Sequence, residues 1–136
     1  MQRGFVSEPV LVALLFADRV ITENTNKKGI IGTFIRFFSP QFPAAFPPWA
    51  IYAAAANAAG EHDFALTLTH TETNQVVLPI NGKFQAQTAD DVIELTFNVA
   101  NAVFPKEGKY VLTFHIDGEL IGSRILFVEL AKQSGG

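Results

Sequence analysis

The segment Phe104-Pro105-Lys106-Glu107-Gly108-Lys109-Tyr110-Val111-Leu112-Thr113-Phe114-His115-Ile116-Asp117-Gly118-Glu119-Leu120-Ile121-Gly122-Ser123-Arg124-Ile125-Leu126-Phe127-Val128 decides the fold class. In an extended chain, Tyr110, Leu112, Phe114 and Ile116 share one face, with Val111, Thr113, His115 and Asp117 on the other. Asp117-Gly118 is a favoured pair for a two-residue type I′ turn, in which both central residues take φ > 0. A turn there sets Phe114 opposite Ile121 and Tyr110 opposite Ile125, so both strands aim apolar residues at one side. A hairpin of this kind must cover a core.

The rest of the chain reads the same way. Val92–Val99 alternates, with Ile93, Leu95, Phe97 and Val99 on one face and Glu94, Thr96 and Asn98 on the other. His62–Thr71 sets Phe64, Leu66 and Leu68 against Asp63, Ala65, Thr67 and Thr69. Thr71-Glu72-Thr73-Asn74 turns the chain into Val76–Ile80, Asn81-Gly82 predicts a further turn, and Lys83–Gln87 predicts a short edge strand. Val10–Ile21 is almost continuously apolar, as in a strand buried on both faces or central in a sandwich. After the polar run Thr22–Gly29, Ile30–Phe38 alternates and predicts the second strand of a hairpin. Ser39–Pro48 holds four of the seven prolines and predicts an extended crossover. Trp49–Ala59 is read as a strand, with a short helix as the alternative. Its alanines favour helix and Gly60 suits a C-terminal cap, yet no helical apolar face stands out.

These elements predict an all-β protein: an antiparallel two-sheet β-sandwich, immunoglobulin-like or related, of eight to nine strands. Residues 1–131 are expected to form a single domain and residues 132–136 a disordered polar tail. Gly108-x-Tyr110 at the head of a strand suits a tyrosine corner, in which the ring is buried and the hydroxyl returns to backbone. A core tyrosine beside a free turn glycine is the simpler alternative.

Composition narrows the function classes. In 136 residues, 49% are hydrophobic and only 17% charged, and thirteen are phenylalanine, which excludes a disordered chain. So few charges leave apolar surface exposed, and self-association is expected, with a homodimer as the simplest form. There is no cysteine, so disulfides, thiolate chemistry and Cys-based zinc sites are ruled out. The net charge is −3, with five Lys/Arg against five Asp/Glu in residues 1–68 and five against eight in residues 69–136. Neither half offers the basic stripe that phosphate neutralisation needs, so no nucleic-acid partner is expected. The apolar run Val10–Ala17 is too short for a membrane span, and Glu8-Pro9 ahead of it argues against a signal peptide. A cytoplasmic protein is expected.

Motifs for chemistry are sparse. Gly122-Ser123-Arg124 lacks the second glycine of a nucleophile elbow, and no phosphate-binding loop occurs. His62 and His70 would lie roughly 26 Å apart on a regular strand at ~3.3 Å per residue, too far to ligate one ion. No metal site and no cofactor are expected. Asp90-Asp91 reads as a turn, and Glu94 and Glu129 as outward-facing strand residues. Asp18-Arg19, with Arg36 from the next strand, reads as a half-buried structural ion-pair group or, as the alternatives, a ligand- or partner-binding site or the site of an enzyme. Phe42, Phe46 and Trp49 on the proline-rich crossover cap the sandwich or, as the alternative, form a platform for a sugar or a partner's apolar side chain.

The chain resembles a family of uncharacterised bacterial proteins known only as a domain of unknown function. The resemblance rests on Ala17-Asp18-Arg19-Val20, Gly29-Ile30-Ile31-Gly32-Thr33-Phe34, Phe42-Pro43, Gly60-Glu61-His62, and Phe104-Pro105 through Gly108-x-Tyr110 to Asp117-Gly118. The alanine run Ala53–Ala59 is the least typical part. The resemblance implies one compact β domain and assigns no site residues. The function expected from the residues is a non-catalytic module that binds a protein partner or assembles with itself. The alternative is a small-ligand or carbohydrate binder using Phe42, Phe46 and Trp49.

Overall fold

Eleven β-strands and no helix make up residues 8–132, the part of the chain that the computed structural model describes. The strands are β1 (Val10–Thr22), β2 (Lys28–Phe34), β3 (Arg36–Ser39), β4 (Ala44–Ala45), β5 (Trp49–Ala56) and β6 (Gly60–His70), followed by β7 (Val76–Ala86), β8 (Ile93–Val99), β9 (Val103–Phe104), β10 (Gly108–Ile116) and β11 (Glu119–Leu130). They form a four-stranded sheet in the order β2-β1-β5-β8, a five-stranded sheet in the order β3-β11-β10-β6-β7, and the two-residue ladder β4-β9. One apolar core joins Leu14, Phe16, Trp49 and Ile51 of the first sheet to Leu66, Tyr110, Leu112, Phe114 and Leu126 of the second. The all-β expectation therefore holds, with eleven strands in place of eight or nine. The tail expectation lies, beyond Lys132, outside the described residues.

The terminal hairpin forms at its expected turn, with Asp117 at φ 52° and Gly118 at φ 84°. Its register is different. Ile116 faces Glu119 and His115 faces Leu120, but Phe114 faces Gly122 and Tyr110 faces Leu126, so Ile121 is an extra residue in β11. A bulge of one residue moves everything beyond it to the opposite face. Leu126 and Val128 thus enter the core at 0% exposure, while Ile125 turns outward at 36%.

Three other expectations are corrected. Ile30–Phe38 is two strands, broken at Ile35, where the chain leaves the four-stranded sheet and enters the five-stranded one. There β3 runs parallel to β11, so the pairing is not wholly antiparallel. The strand buried on both faces is β5, whose Trp49–Ala55 are all buried between β1 and β8. β1 is central in its sheet, between β2 and β5, as the second alternative had it, but it leaves Val10 and Val12 more than half exposed. β7 runs unbroken through Asn81-Gly82, with Gly82 opposite Phe64. The glycine is there for space, not for a turn: a Cβ at residue 82 would lie 2.7 Å from the Phe64 ring.

Trp49–Ala56 is strand and not helix: it pairs with β1 on one side and β8 on the other, with Ala50 and Ala53–Ala55 buried. The tyrosine corner also forms. Tyr110 is fully buried and its hydroxyl donates to the Lys106 carbonyl at 2.5 Å. Burial raises the Tyr110 pKa, and the bond to Lys106 only partly opposes this.

Candidate functional site

The outer face of β3, β11 and β10 carries an open cleft of about 600 Å³. Register places Arg36, Phe127 and Lys109 side by side across the three strands. The Arg36 guanidinium carbon lies 4.6 Å from the centroid of the Phe127 ring, and Lys109 Nζ lies 5.8 Å from it. Both cations thus stand over one aromatic ring, an arrangement favoured by the ring's quadrupole. Arg36 also forms an ion pair with Glu129. Glu107 accepts a hydrogen bond from the Leu130 amide at 3.2 Å, which ties the β9–β10 loop to the end of β11. Phe38, two residues beyond Arg36, is 58% exposed, and Ile125 continues the apolar strip along β11. Thr71 and Glu72 close the far side of the cleft.

A second polar centre sits at the opposite end of the same sheet, at the hairpin turn. His62 Nδ1 lies 2.6 Å from Asp117 Oδ2, and His62 Nε2 lies 2.9 Å from the Ala59 carbonyl. Asp117 Oδ1 accepts from the Asp63 amide at 2.9 Å, and the His62 ring stacks on Phe84 at 5.3 Å. The hydrogen bond to Asp117, then that to Ala59, raises the His62 pKa, and the same pair lowers that of Asp117. Both ring nitrogens face acceptors, so this arrangement favours the protonated ring and occupies the positions a metal would need.

His70 is buried and differently held. Its Nε2 lies 3.0 Å from the Glu107 carbonyl, while Nδ1 accepts from the Glu72 and Thr73 amides, each at 3.2 Å. Two donors at Nδ1 and an acceptor at Nε2 define the neutral Nε2–H tautomer. The imidazole organises the β6–β7 turn and its partners are all backbone.

The residues singled out from sequence are scattered. Asp18 and Arg19 are exposed on β1, not half buried, and among the described residues neither makes an ion pair. Arg36 lies on the other sheet with Glu129, so the three charges do not form one group. The sequence spacing misled because the break at Ile35 carries Arg36 away from β1. Trp49 is 3% exposed, and Phe42 and Phe46 are partly buried against the core. An aromatic platform there lacks its indole, which is buried in the core.

The cleft around Phe127 was not legible in advance, because it assembles from β3, β11 and β10 only after the bulge at Ile121 sets which β11 residues face outward. Asp91 Oδ2 accepts from the Gln87 and Thr88 amides at 3.1 and 2.9 Å, a turn carboxylate as its sequence suggested. Glu94 accepts from the Tyr52 hydroxyl at 2.5 Å. Burial, with the Glu94 hydrogen bond and charge, pushes the Tyr52 pKa up to about 12. Among the described residues no group of three or more His, Cys, Asp or Glu is placed to hold a metal ion. No helix among them is long and apolar enough to cross a membrane.

These features define an all-β domain with a mixed aromatic and charged cleft on one sheet. The chain belongs to a family of unknown function (DUF6941), whose model matches residues 12–129. No curated protein matches it.

Proposed function

We propose that the protein is a non-catalytic interaction module, a sandwich-type scaffold that docks a protein partner on the outer face of β3, β11 and β10. The observation that carries this reading is Phe127 flanked by Arg36 and Lys109, with Phe38 exposed alongside. Aromatic and Arg side chains supply most of the energy of protein interfaces when a polar rim surrounds them. Glu72, Glu107 and Glu129 supply that rim. The test is cross-linked capture with wild type, Phe38→Glu, and Val12→Glu as a control on the other sheet. A partner kept by wild type and control and lost by Phe38→Glu supports the surface. A partner kept equally by all three, or none at all, overturns it.

A small ligand is the second reading, now at this cleft and not at Phe42, Phe46 and Trp49. The cleft's volume falls within the usual range for small-molecule sites, and its lining combines an aromatic ring with charges of both signs. Thermal stabilisation by a sugar or small-acid panel, abolished by Arg36→Ala, would favour it over a protein partner.

A further inference from the structure

Sheets end in strands whose outer amides and carbonyls lack partners, and proteins blunt such edges with short strands, charges, prolines or bulges. Most edges of this protein carry one of these devices. β2 has Lys28 and a backbone kink at Gly32, with φ 70°. β3 is only four residues long and carries Arg36. β7 contains Pro79 and Lys83, with a register shift opposite Leu68 and Thr69. The part of β11 beyond the reach of β3 carries Arg124 and the bulge at Ile121. β8 is different. Its seven residues, Ile93-Glu94-Leu95-Thr96-Phe97-Asn98-Val99, include no proline, glycine, lysine or arginine. They pair without interruption to β5 on one side, and among the described residues no strand pairs with the other side. The single charge, Glu94, is engaged by the Tyr52 hydroxyl.

We propose that β8 pairs antiparallel with β8 of a second copy of this chain, about a two-fold axis at Thr96. Opposed residues in an antiparallel pair point to the same face, so the core-facing side of one copy must continue the core-facing side of the other. That condition excludes every register that sets Leu95 or Phe97 against Thr96. Centring on Thr96 is the allowed register that uses all seven residues. It sets Ile93 against Val99, Leu95 against Phe97, Glu94 against Asn98, and Thr96 against itself. Each pair is favourable or neutral for neighbouring strands: aliphatic with aromatic, threonine with threonine, and no like charges opposed. The two Glu94 carboxylates stay roughly 13 Å apart at ~3.3 Å per residue, beyond a physiological Debye length. The contact is isologous and closed, so it yields a dimer and not a fibre. It lies on the opposite sheet from the Phe127 cleft, and the two surfaces can fail independently.

The test is light scattering coupled to size exclusion across a concentration series of the full chain, with Thr96→Glu and Thr96→Lys variants. Thr96 is exposed, so both variants are expected to keep the monomer fold, which unchanged Trp49 emission checks. Wild type is expected to dimerise. Thr96→Glu opposes two carboxylates, with Glu94 of the other copy diagonal to each, and is expected to weaken the dimer at least tenfold. An equimolar mixture of Thr96→Glu and Thr96→Lys is expected to restore it, which a folding defect would not do. A wild type monomeric at every concentration overturns the proposal, as does undiminished dimerisation of Thr96→Glu, or a mixture that remains monomeric.

Discussion

His62 is held by Asp117 and the Ala59 carbonyl at its two ring nitrogens, and this gives the fold a pH dependence with a definite sign. The His62 pKa is raised above its ordinary 6.5, so its contribution is fully present below that pH and fades as pH rises through the folded value. The Asp117 pKa is lowered below 3.8, so its contribution is present above that pH and fades only as pH falls through the folded value. The pair therefore stabilises most between about pH 4 and 6.5. His62→Gln is expected to lower stability in that window and to approach wild type as pH rises past the folded His62 value. Urea unfolding at pH 5.5 and pH 8.5 measures this, and an equal loss at both would show that stacking on Phe84, not charge, is what matters. At the other end of the sheet, Tyr110→Phe removes only the hydroxyl that reaches Lys106. The expected loss is about 1 kcal/mol, measured by the same unfolding method, with the spectrum otherwise unchanged. The corner at Gly108-x-Tyr110 was legible because it is local. The His62–Asp117 pair was not: its members lie 55 residues apart, and Asp117 already had a sufficient reason to exist in the turn.

At the scale of elements, the readable strands were those whose alternation is exposed to water on one side. β6, β8 and β10 show it, because each puts polar residues on one face and Phe, Leu or Ile on the other. The hairpin turn was readable from Asp117-Gly118, but its bulge was not, since both Ile125 and Leu126 are apolar and either could have faced inward. Ile30–Phe38 has unbroken alternation, so nothing local marks the change of sheet at Ile35. Asn81-Gly82 carries turn chemistry but is used as strand because Phe64 needs the room. That assignment makes a prediction. Gly82→Val adds β-propensity to β7, yet its Cβ would meet the Phe64 ring at 2.7 Å. The expected result is destabilisation of about 1–3 kcal/mol by overpacking. A double variant with Phe64→Leu is expected to recover part of the loss. A stabilised single variant would mean that the ring moves aside freely.

Across the whole molecule, the two larger sheets are joined by a chain of aromatic contacts, not by a separate plug. Phe16 and Phe34 of the four-stranded sheet meet Trp49 at 6.0 and 6.1 Å, and Phe37 of β3 meets Trp49 at 5.5 Å. Phe104 of β9 then bridges Phe37, Phe46 and Trp49 to Tyr110, which meets His70 at 4.8 Å. Phe104 is 0% exposed and touches both halves, so it is the ring whose loss should separate them. Phe104→Ala is expected to cost about 3–5 kcal/mol, the range for emptying a buried aromatic site. Trp49 is the only tryptophan and is 3% exposed, so its emission reports on this junction directly. In wild type its emission is expected to resist quenching by acrylamide, and its urea transition to coincide with loss of the β signal in far-ultraviolet circular dichroism. Phe104→Ala should bring the fluorescence transition forward of the dichroism transition, because the junction is weakened while β6, β7, β10 and β11 keep their own pairing. Transitions that stay superimposed in the variant would instead show that no sheet survives without the other, making the aromatic chain a part of one indivisible core.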